Sequence, residues 1–65
     1  MISVSKIKIN IRPHDYFDYE KGRDGVKSIN IFQNDGIIKV EFDEEHEWDC
    51  KLFPISYYNS IDYKE

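Results

Sequence analysis

Apolar and polar side chains alternate from residue 7 to residue 12. Ile7, Ile9 and Ile11 take turns with Lys8, Asn10 and Arg12. A two-residue period marks a half-buried strand, because successive side chains leave opposite faces. Ile2 and Val4 carry the other parity, so a strand over residues 2–12 needs a bulge near Ser5–Lys6. Pro13 lacks an N–H and ends the run. Residues 13–25, PHDYFDYEKGRDG, hold one Pro, three Asp and two Gly and predict a loop. Tyr16, Phe17 and Tyr19 make it unusually apolar, and loops of this length generally pack or function.

Val26, Ile29, Ile31 and Phe32 predict a second strand over residues 26–33. Asn34-Asp35-Gly36 supplies the chemistry of a hairpin turn. A third strand follows over 37–42, with Ile38, Val40 and Phe42 on one face. A three-residue turn sets Phe32 opposite Ile38, and a two-residue turn sets Ile31 there. The pattern leaves this register open, and one step exchanges the faces. Residues 43–47, DEEHE, form an acidic turn. In the fourth strand, 48–53, Trp48, Cys50 and Leu52 alternate with Asp49 and Lys51, and Pro54 closes it. In the tail, Tyr57, Ile61 and Tyr63 share strand parity, while Phe53, Tyr57 and Ile61 fall at helical spacing. A strand is expected there, with a short C-terminal helix as the alternative.

These elements predict an all-β fold. It is one antiparallel sheet of four or five short strands, a meander or a small barrel, covered by the aromatic loop and the tail. The chain of 65 residues has room for a single domain over 1–65. A core this small leaves little margin, and the single cysteine, Cys50, excludes an internal disulfide. One free cysteine favours a reducing compartment. No cationic segment leads into an apolar run, and no apolar stretch reaches the ~18 residues of a membrane helix. A cytoplasmic protein without membrane contact is the expectation.

The net charge of −4 is unevenly spread. Residues 1–14 hold Lys6, Lys8 and Arg12 and no acid. Residues 41–49 hold Glu41, Asp43, Glu44, Glu45, Glu47 and Asp49 and no Lys or Arg. The plain expectation is that the two stretches sit together and partly neutralise each other. If Phe42 faces Trp48, then Val40 meets Cys50 and Ile38 meets Leu52, a coherent apolar face. Pleating then sets Glu41 opposite Asp49 and Asp43 opposite Glu47, which repel. Such a cluster is either an ordinary solvated face, relieved by Lys39 and Lys51, or a surface for a basic partner. In its extreme form the carboxylates would mimic nucleic-acid phosphates.

Candidate chemistry is sparse. Cys50 and His46 lie four residues apart, but the expected strand turns Cys50 inward, and nearby carboxylates disfavour a thiolate. Two His and one Cys make no zinc motif. Read as a calcium loop from Asp43, the sixth and twelfth positions are Trp48 and Pro54 instead of Gly and Glu. Gly22 and Gly25 frame only Arg23 and Asp24, and no phosphate-binding Lys-Ser or Lys-Thr follows. No catalytic residue, cofactor or metal is therefore expected.

Binding is the expected mode of action. The leading expectation is a small non-catalytic inhibitor or regulator of a protein with a basic surface, such as a nucleic-acid-handling or defence enzyme. Its contact residues would be Glu41, Asp43, Glu44, Glu45, Glu47 and Asp49, with Tyr16, Phe17 and Tyr19 as aromatic anchors. Phages and mobile elements often make small acidic proteins of this kind, which is an analogy. The alternatives are a self-associating assembly module and a weak single-stranded nucleic-acid binder stacking bases on the aromatic loop. That loop is itself acidic, so direct nucleic-acid contact is not expected.

Overall fold

The computed structural model describes residues 1–65 as seven strands and one 3-10 turn. The strands are β1 (Ile2–Val4), β2 (Lys6–Arg12), β3 (Asp15–Glu20), β4 (Val26–Phe32), β5 (Ile37–Phe42), β6 (Cys50–Pro54) and β7 (Ser60–Lys64), with the turn at Ile55–Tyr57 before β7. All pairings are antiparallel. One sheet has the order β1-β4-β5-β6 and the other β3-β2-β7. The all-β antiparallel class therefore holds, with the meander β4-β5-β6 inside the larger sheet. The two sheets do not close into a barrel.

The parity break at Ser5 is where the chain changes sheets. Val4 and Ile7 are both buried because β1 belongs to one sheet and β2 to the other. The Ser5 amide donates to the Lys64 carbonyl (2.7 Å), and its own carbonyl accepts the Lys21 amide (2.8 Å). The corner thus keeps its backbone bonds, as a strand switching sheets must.

The expected loop over 13–25 is a correction. Only Pro13 and His14 connect β2 to β3, and Tyr16, Phe17 and Tyr19 stand in a strand opposite Asn10, Ile9 and Ile7. Turn-forming Asp residues masked the alternation, because Asp15 and Asp18 sit on an edge strand where water solvates them. With the first segment split in two, this raises the strand count above the expected four or five. In the tail, Tyr57 lies in the 3-10 turn and is exposed, while Ile61 and Tyr63 pair with Ile9 and Ile7 as a strand.

The core lies between the sheets. Ile7 and Ile9 from one sheet meet Ile29, Ile38 and Val40 from the other, all fully buried. Phe42, Phe53, Tyr19 and Phe17 line the open side as a chain of tilted rings. Tyr19 lies 6.1 Å from Phe42 and 5.9 Å from Phe53, and Phe17 lies 5.5 Å from Phe53. Edge-to-face and tilted contacts of this kind add to the area they bury.

The β4–β5 hairpin sets Ile31 opposite Ile38 across a loop of residues 33–36. Gly36 there has φ +65°, a left-handed value that costs an L-residue with a Cβ roughly 1–2 kcal/mol.

The β5–β6 pairing differs from the expected register by one residue. Ile38 faces Phe53, Val40 faces Lys51, and Glu41 faces Cys50. Phe53 is buried, whereas Trp48 and Leu52 are 55% and 59% exposed. Pro54 supplies one physical reason. The Phe42 amide donates to Asp49, and the Ile55 amide donates to Gly36, so odd-numbered residues of this segment bond β5. Pro54 then points its missing N–H at the free edge and costs the ladder nothing. The expected register would have put Pro54 at a bonding position. Phe53 supplies the other reason, since only this register joins its ring to Phe17, Tyr19 and Tyr58.

Candidate functional site: the acidic loop and Trp48

Residues 43–49 join β5 to β6, and a local backbone frame holds them. The Asp43 amide donates to the Gly25 carbonyl (2.9 Å). The Asp43 carbonyl accepts the His46 amide (3.2 Å), and its Oδ1 accepts the Glu45 amide (3.1 Å). This is a side-chain-capped turn, the usual work of Asp in loops. The His46 ring stacks on Phe42 at 3.8 Å with a tilt of 10°. Its Nδ1 accepts the Trp48 amide at 3.0 Å and lies 3.2 Å from the Trp48 carbonyl oxygen. The core therefore holds Phe42, Phe42 seats His46, and His46 fixes the backbone of Trp48.

The six acids do different things. Glu41 lies on the outer sheet face beside Lys39, with Nζ and Oε1 3.9 Å apart. Asp43 shapes the turn. Glu44, Glu45, Glu47 and Asp49 are exposed, and none has a cation within 4.0 Å. The expected oppositions of Glu41 with Asp49 and of Asp43 with Glu47 do not occur, because the register is shifted and the loop is not a continuous ladder. Cys50, expected inward, is half-buried on the outer face for the same reason.

The basic first stretch does not cover this loop. Lys8 stands between Asp18 and Asp62 in register, and Arg12 pairs with Asp15 (3.5 Å). Asp15, Asp18 and Glu20 of β3 and Asp62 of β7 compensate it instead.

The aromatic trio is likewise divided. Tyr16 faces outward beneath the Lys8 ammonium, 4.4 Å from its ring centroid. Tyr19 packs on the core, and Phe17, on the same face, touches the Phe53 ring at the rim and stays 39% exposed. They do not form one patch, since neighbours in a strand leave by opposite faces.

No protein-family model, curated protein or solved structure matches the chain.

The residue that pattern reading missed is Trp48. Alternation assigned it to the core, and the structure leaves it out among carboxylates. The usable signal was Pro54, whose position favours one phase of β6, turns Cys50 and Leu52 outward and leaves Trp48 in the preceding loop.

Gly25 anchors the loop from the other side. It has φ +79°, and a Cβ there would lie 3.5 Å from Asp43 Oδ1 and His46 Cδ2, an ordinary contact. Gly25→Ala is thus expected to lose about 1–2 kcal/mol from backbone strain rather than from a clash. Urea denaturation measures it, and a loss below a few tenths of a kcal/mol would contradict the strain argument.

Proposed function

We propose that the protein is a small non-catalytic binding domain that inhibits or regulates a protein partner by occupying a basic site on it. The contact is the 43–49 loop, which carries Glu44, Glu45, Glu47 and Asp49 together with Trp48. The observation that carries this reading is an exposed tryptophan whose backbone is fixed by His46, set among carboxylates without cations. An indole face attracts Arg and Lys, carboxylates pair with them, and Trp dominates binding energy where it is buried by a partner. A rigidly held loop also loses less entropy on docking. Catalytic carboxylates work in pockets that separate their pKa values, whereas these stand in water. Mimicry of nucleic-acid phosphates is the narrower form of the same reading. The single cysteine fits a reducing compartment, and we place the protein in the cytoplasm.

The test compares the native protein, immobilised, with a variant carrying E44Q, E45Q, E47Q and D49N. The expected result is that the native protein retains a basic partner from lysate of the source cell, that high salt releases it, and that the variant does not retain it. Retention of the same protein by both would move the contact away from the loop. The variant is expected to be at least as stable as the native protein, since exposed changes stay within about 0.5 kcal/mol and like-charge repulsion falls. Thermal unfolding checks this and separates lost binding from lost folding.

One observation favours a second reading, self-assembly. Lys6 stands opposite Lys64 and Glu20, and with Lys21 and Ser5 they line a shallow depression with three lysines to one carboxylate. A basic corner of this kind complements the acidic loop of another copy. Sedimentation at low and high salt decides it, because only this reading makes the protein's own mass depend on ionic strength. The nucleic-acid-binding reading gains no such support, since Tyr16 is already capped by Lys8, and Asp18 and Asp62 flank that lysine.

A further inference from the structure

The outer face of the four-stranded sheet is less polar than strand alternation usually leaves to water. Register places Phe32, Ile37 and Leu52 there, on neighbouring strands. With Lys39 and Asp35 they line a shallow open groove of about 200 Å³. The adjoining edge of β6 is closed to strand addition. Pro54 offers no N–H to it, and Lys51 stands on the core-facing register opposite Val40, a charge placed where a paired strand would bury it. An occupant therefore lies across this face rather than extending the sheet.

We propose that the groove and the acidic loop form one docking surface for a basic amphipathic helix of the partner protein. The proposal rests on the reading of the acidic loop given above and names the partner's chemistry. Charge selects the occupant. Asp35 lines the groove at the β4–β5 turn, its one lysine, Lys39, lies 3.9 Å from the Glu41 carboxylate, and Glu47 and Asp49 stand in the loop that enters the other end of β6. From Cys50 to Pro54 β6 runs about 13 Å at ~3.3 Å per residue, the length of about nine helical residues at ~1.5 Å each, and the loop with Trp48 continues from its start. A helix with apolar residues at i, i+3, i+4 and i+7 lays that stripe on Leu52, Ile37 and Trp48 and directs its Lys and Arg to the two acidic ends. A second copy of the chain supplies no such segment, because its one helical element is a three-residue turn.

Trp48 is the only tryptophan, so its fluorescence reports docking directly. The probes are two synthetic peptides of about 14 residues (roughly four helical turns) made of Leu and Lys alone. One has its leucines in a helical stripe, and the other has the same composition scrambled. The striped peptide is expected to bind saturably with a blue shift of Trp48 emission, about tenfold or more tighter than the scrambled one. Leu52→Ser is expected to remove that preference while leaving the weaker binding of the scrambled peptide unchanged. Leu52 is exposed, so far-UV circular dichroism should show this variant folded. Equal binding of both peptides, unaffected by Leu52→Ser, would overturn the groove proposal and leave the acidic-loop reading standing. Binding of neither would overturn both. A Trp48 blue shift that grows with protein concentration and is indifferent to peptide would show that another copy occupies the face, which also overturns the proposal.

Discussion

Phe53→Ala is expected to destabilise the fold by about 3–5 kcal/mol, while its neighbour Leu52→Ala changes stability by less than about 0.5 kcal/mol. Phe53 is buried against Phe17, Tyr19 and Tyr58, and Leu52 stands in water on the opposite face. A domain of this size has only about 3–5 kcal/mol of net stability, so Phe53→Ala is expected to be largely unfolded at 25 °C. Phe53→Leu keeps part of the buried area and should give a measurable urea midpoint between the two. The pair of neighbours is a register test as much as a packing test. Had Leu52 faced the core as simple alternation suggests, the order of the two effects would reverse, and a reversed order in urea denaturation would refute the β5–β6 pairing.

Ile9→Ala is the second large effect, a loss of about 2–5 kcal/mol. Ile9 is fully buried on β2, the central strand of the smaller sheet, between Phe17 and Ile61. Its side chain points at residues of the larger sheet, so the damage should spread across both. Far-UV circular dichroism and the near-UV tyrosine signal are expected to shift together in one transition, as in a two-state domain. Tyrosines lie mainly on the smaller sheet and its approach, whereas backbone signal comes from both. Two separated transitions would mean that the sheets unfold independently and that the shared core is weaker than its burial implies.

These two residues also show what kind of function the fold permits. The apolar side chains that hold it together nearly all face inward between two thin sheets. That leaves the outer faces and the connecting loops for contact with other molecules. The acidic loop is stabilised through Phe42 and His46, so a core residue positions the proposed contact surface. A variant that loosens Phe42 should therefore lose binding and stability together, whereas the amide variants of the loop should lose binding with no loss of stability.

Much of this was written in local pattern. The strand periods of Ile7–Ile9 and of Ile38–Val40–Phe42 and the Asn-Asp-Gly turn are features of short range, whereas the parity break at Ser5, expected as a bulge in one strand, is a corner between two sheets. The periods and the turn came out in the fold because alternation and turn chemistry are decided by neighbouring residues. The acidic character of residues 43–49 was equally plain. Tertiary structure alone decided three other things. It made a strand of the aromatic segment, because β2 offered Tyr16, Phe17 and Tyr19 a pairing edge that local turn propensity cannot register. It divided those rings between two faces. It also chose between Phe53 and the Trp48–Leu52 row as the inward set of β6. Trp48, Cys50 and Leu52 make the apolar set, whereas Asp49 and Lys51 share the parity of Phe53, so pattern alone favoured the wrong face. The choice fell to long-range terms: the ring cluster waiting on β3, and a proline that one edge tolerates and the other does not.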